Sequence, residues 1–65
     1  MKLGDIRHNK NLCGERIHLY AIHGRKQIDL FQNWVYLMPE CLNGRNILRM
    51  SYNLGTGWIS VEIDW

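Results

Sequence analysis

Residues 46–65 constrain the fold most, because two alternating runs flank a glycine loop there. Leu48, Met50, Tyr52 and Leu54 alternate with Ile47, Arg49, Ser51 and Asn53. After Gly55-Thr56-Gly57, Ile59, Val61, Ile63 and Trp65 alternate with Trp58, Ser60, Glu62 and Asp64. Successive strand residues point to opposite faces, so each run has one largely apolar face and one mixed face. A short glycine loop between such runs predicts an antiparallel hairpin. Residues 16–22 alternate in the same way. Ile17, Leu19 and Ala21 share one face, and His18, Tyr20 and Ile22 the other. That stretch is rich in β-branched and aromatic residues and predicts a strand ended by His23-Gly24.

Residues 26–38 lack this alternation. Leu30 and Phe31 are adjacent, as are Trp34 and Val35, and Leu37 and Met38. A turn of about 100° per residue gathers Ile28, Leu30, Phe31, Trp34, Val35, Leu37 and Met38 on one half of a cylinder. Asp29, Gln32, Asn33 and Tyr36 fall on the other half. The pattern predicts a helix ended before Pro39, which disfavours helical geometry at the preceding residue. Residues 1–15 carry Gly4, Asn9, Asn11 and Gly14 and are expected to form an irregular arm with a short strand near Lys2–Ile6.

The expected fold is therefore α+β. A domain over residues 16–65 runs in the order β-α-β-β, an antiparallel sheet with one helix packed on one face. Its core would be Ile17, Leu19, Ala21, Ile28, Phe31, Val35, Met38, Leu48, Met50, Ile59, Val61 and Ile63. The alternative is a small all-β barrel of the SH3 or Sm-like kind, with Asn43-Gly44 turning between two strands. Ile17–Gly24 resembles the strand-and-glycine pattern of Sm-like RNA-binding barrels, a likeness that implies such a barrel.

A chain of 65 residues leaves room for one domain, which hides only ~60% of its surface on folding. Apolar types still make up 46% of it, which excludes intrinsic disorder. No apolar run approaches the ~20 residues of a membrane span, and Met1-Lys2-Leu3-Gly4-Asp5 lacks the apolar stretch expected of a signal peptide. A cytoplasmic protein with reduced thiols is expected. Lys2, Arg7, Lys10, Arg16, Arg25 and Lys26 outweigh Asp5 and Glu15 in residues 1–26, leaving +4. Residues 27–65 carry −2. An ordinary solvated surface accounts for so small a separation.

Catalytic and metal chemistry find little support. Cys13, His18, His23 and Cys41 lack a close cysteine pair, and the odd spacing sends the two histidines to opposite strand faces. The cysteines are expected to be small buried thiols, and no metal or cofactor is expected. No nucleophile–base–oxyanion arrangement is visible. A ribonuclease toxin using His18, Arg16, Arg49 and Glu62 on a sheet is the best enzymatic reading, ranked third. The mixed sheet face carries Trp58, Tyr20, Arg49, Arg16 and Ile47, the aromatic and arginine content of interface hot spots. The leading expectation is a non-enzymatic binding protein, a virus- or mobile-element-type inhibitor or adaptor that docks on a larger host protein. Nucleic-acid binding by the same face is the second reading. Pairing of sheet edges into a homodimer is a further expectation.

Overall fold

Gly24 sets the course of the first half of the chain. Its φ is +65°, a left-handed value that costs glycine little. Gly24-Arg25 make a two-residue turn between His23 and Lys26, which pair with each other. Glycine first in such a turn matches the twist of a hairpin. The turn folds β2 (Lys26–Trp34) antiparallel onto β1 (Arg16–His23). The computed structural model describes every residue from Met1 to Trp65.

The helix expected over 26–38 is thus corrected to a strand followed by one tight turn. Leu19 faces Phe31 and Tyr20 faces Asp29, so Leu30 is an extra residue in a β-bulge. A bulge breaks strict alternation, which explains the adjacent pair Leu30-Phe31. Trp34 ends the strand, and a 3-10 turn at Val35–Leu37 buries Val35. Met38 is also buried, while Leu37 projects to solvent. A second 3-10 turn at Glu40–Leu42 follows Pro39 and buries Leu42. Asn43-Gly44 consequently does not join two strands.

The second hairpin forms as expected, from β3 (Ile47–Asn53) and β4 (Trp58–Ile63) in antiparallel register. The two hairpins join through β1 and β4, which run parallel. The strand order is β2-β1-β4-β3. The sheet is mixed, where an antiparallel one was expected. The fold is α+β in the broad sense, with one short helix, α1 (Leu3–Arg7), at a place expected to be an irregular arm. The expected strand at Lys2–Ile6 is reduced to a single bridge between Lys2 and Asn46.

The core lies on one side of the sheet. Leu3 and Ile6 of α1, with Val35, Met38 and Leu42 of the turns, cover Ile17 and Leu19 of β1 and Ile59, Val61 and Ile63 of β4. Burial of each such side chain contributes about 1.5–3 kcal/mol. Leu3 and Ile6 are fully enclosed, so residues 1–15 contribute to the same core as residues 16–65. Polar bonds pin α1 in place. Arg7 Nε donates to Asn43 Oδ1 at 2.9 Å and Arg7 Nη2 to the Pro39 carbonyl at 3.0 Å. Gly4 packs against Asn43, where an added Cβ would lie 3.2 Å from the Asn43 Cβ.

The cap covers the two central strands and stops short of the edges. Ala21 is buried as expected, but Ile28, Leu48 and Met50 are exposed and Phe31 is half-buried, correcting their place in the expected core. Met50 keeps the core side, opposite Val61, but lies on an edge strand beyond the cap, whereas Leu48 is displaced by a bulge between Ile47 and Arg49. Ile47 faces Ile63 and packs against the core. Arg49 faces Glu62 on the other side of the sheet, and Leu48 is the residue left over.

Candidate protein-docking face

The opposite side of the sheet carries no helix and no turn. Directly paired residues share a face, and the register arranges this surface in three rows. The first is Trp34, Arg16, Trp58 and Asn53. The second is Gln32, His18, Ser60 and Ser51. The third is Asp29, Tyr20, Glu62 and Arg49.

The first row is the most organised. The Arg16 guanidinium lies 5.0 Å from the ring centroid of Trp58 and 5.7 Å from that of Trp34. Both distances fall within the range of cation–π attraction. Arg16 Nη2 donates to the Thr56 carbonyl at 3.0 Å, which fixes the fork in the row. Tyr36 extends it by stacking on Trp34, with ring centroids 6.2 Å apart and an interplanar angle of 16°. An arginine held beside two indoles, with a tyrosine stacked at the end of the row, forms a surface that loses little side-chain freedom on binding.

The other charges of the face are paired within it. His18 Nε2 and Asp29 Oδ1 are 2.8 Å apart, and Gln27 Nε2 donates to the same oxygen at 3.1 Å. Arg49 Nε lies 3.8 Å from Glu62 Oε1, an exposed pair worth roughly 0–1 kcal/mol. Arg16 forms no ion pair. The face holds two arginines and two carboxylates, so its fixed charge balances.

The hydrogen bond from His18, with a second from Gln27, holds the Asp29 carboxyl below its ordinary value. A depressed folded-state value contributes stability above the unfolded carboxylate value of about 3.9. That contribution is lost as pH falls through the folded value. The margin in melting temperature of the natural chain over Asp29→Asn is therefore expected to shrink below about pH 4. Thermal melts of both chains across an acid series check this, and a constant margin would show that ionisation of Asp29 does not support the fold.

Of the residues expected at the site, Arg16, Tyr20, Arg49 and Trp58 lie on this face. Ile47 does not, because the β3 bulge turns it to the core. Trp34 was missed, since a helix over 26–38 placed it among the apolar residues of a buried stripe. The signal for it lay in Gly24-Arg25, whose two-residue turn carries β2 back along β1 and brings Trp34 opposite Arg16.

The molecule has no enclosed pocket, and no three of its His, Cys, Asp and Glu residues converge as metal ligands. Both cysteines are free thiols. Cys13 is half-buried and Cys41 is exposed, so the expectation of two buried thiols is corrected. No helix is long and apolar enough to cross a membrane. The chain matches no family model, no curated protein and no solved structure.

Proposed function

We propose that this protein is a small binding module that docks on a larger protein through the uncovered face of its sheet, acting as an inhibitor or adaptor of the kind viruses and mobile elements use. The observation that carries this reading is Arg16, placed between Trp34 and Trp58 within cation–π distance of both and lacking a carboxylate of its own. A protein surface that offers one acidic group amid apolar area complements that row. The balanced charge of the face favours a protein over a nucleic acid, whose phosphates need an excess of cations. The openness of the face favours docking over catalysis, which needs a water-excluding site.

Affinity capture from host extract at low and high salt tests the reading. The expected result is one stoichiometric protein band that persists at high salt with the natural chain and is absent with Arg16→Ala. Retention of nucleic acid alone, lost as salt rises, would overturn it in favour of nucleic-acid binding.

A further inference from the structure

The two edges of the sheet differ. The β2 edge carries Lys26 and Asp29 and is interrupted by the Leu30 bulge. Charges and bulges of this kind keep an edge from pairing with another chain. The β3 edge has its bulge at its start, beside the only segment that covers it. There Ile47 N–H donates to the Met1 carbonyl at 2.9 Å and Leu3 N–H to the Arg45 carbonyl at 2.9 Å. From Arg49 to Asn53 the strand has no neighbour beyond it. Its one charge, Arg49, is matched by Glu62.

The backbone of that segment is set for pairing. The Asn53 carbonyl accepts from Gly57 N–H at 2.8 Å and so turns toward β4. Peptide groups alternate in direction along a strand. Those of Ser51 therefore also turn toward β4, and those of Met50 and Tyr52 turn outward. On the core side of the sheet, Met50 and Tyr52 stand 44% and 46% exposed beyond the reach of the cap.

We propose that this edge is the contact surface for a second copy of the chain, with β3 pairing antiparallel to β3 about a two-fold axis at Ser51. Ser51 is the centre of the free segment 49–53, so this register uses all of it. Met50 then lies opposite Tyr52 of the other copy, twice, in a sulfur–aromatic contact. Arg49 lies opposite Asn53, so no like charges meet. The outward peptide groups of Met50 and Tyr52 meet as hydrogen-bonded pairs. The Met1–Lys2 segment and the second β3 lie end to end along one edge without competing. The contact is small, in the range of weak and transient association. It leaves the face bearing Arg16 free and sets the two copies of that face side by side, so it stands independently of the docking reading.

Sedimentation equilibrium of the natural chain over a hundredfold concentration range tests the proposal. The average mass is expected to rise from monomer toward dimer. Met50→Lys is expected to abolish that rise, with the melting temperature of the monomer nearly unchanged because Met50 is outside the core. Met50→Lys with Tyr52→Glu in one chain is expected to restore it, since the introduced ammonium of one copy then faces the introduced carboxylate of the other. In a mixed-label sample, an intermolecular contact between the two Ser51 Hα protons is expected. A chain that stays monomeric throughout would overturn the proposal. A dimer that Met50→Lys leaves intact, or that the double variant fails to restore, would overturn it equally.

Discussion

Val35→Asp is expected to leave the chain unfolded, and Ile28→Asp to leave it folded. Val35 is wholly enclosed beneath α1 and against the sheet. A carboxylate there has no partner, and burying it unpaired costs several kcal/mol. A domain of this length has roughly 3–10 kcal/mol of stability in total, so one such change consumes most of it. Ile28 lies on an edge strand and is 39% exposed, so a carboxylate introduced there keeps its water. A helix over 26–38 makes both positions core and predicts two unfolded variants. Circular dichroism melts of the two chains separate the architectures. Ile6→Ala adds a check on the N-terminal segment. It is expected to cost about 2–5 kcal/mol, as truncation of an enclosed isoleucine does, whereas a dispensable arm would lose almost nothing.

The second large effect falls on docking. Arg16→Ala removes both cation–π contacts and the bond to the Thr56 carbonyl, and it leaves the two indoles without the group between them. A central anchor of this kind typically carries ~2 kcal/mol or more of binding, over tenfold in affinity. Arg16→Lys is expected to lose nearly as much, because an ammonium cannot lie flat between two rings or offer a planar fork. Trp58→Ala is expected to weaken docking to a similar degree. Its melting temperature decides what the residue does. Trp58 is half-buried at the start of β4, beside the hairpin loop. A large fall in melting temperature with unchanged affinity of the folded fraction would make Trp58 a closure of the sheet and not an anchor. Titration calorimetry against the captured partner, alongside thermal melts, measures both quantities on each variant.

The legible part of the fold was the part with regular alternation. Ile17, Leu19 and Ala21, and Ile59, Val61 and Ile63, declared the inner face of the two central strands, and Trp58 and Arg16 followed on the other face by parity. What misled was two bulged residues. Leu30 shifts the period of β2, so that its apolar residues fit a helix better than a strand. Leu48 reverses the parity at the start of β3, so that Ile47 and Leu48 exchange the places alternation assigns them. A bulge depends on what the neighbouring strand needs, and that information lies far away in the chain. Leu3 and Ile6 were hidden for another reason. A five-residue helix is too short to show a period, and it holds its shape by packing onto strands that come later in the chain.

The parallel contact between β1 and β4 has a bearing on how the chain reaches this structure. Each hairpin is a local object, closed by a short turn, and can form within microseconds. The central seam is not. Arg16 must meet Trp58, and Leu19 must meet Val61, across most of the chain. Contacts so distant in sequence slow folding, because loop closure must precede any gain from them. During synthesis β1 emerges early, with its inner side chains and one hydrogen-bonding edge uncovered, and waits for a strand that comes last of the four. Until β4 arrives, the exposed edge of β1 is a template for any strand nearby. The docking of one finished hairpin on the other is thus expected to be the slow step of folding.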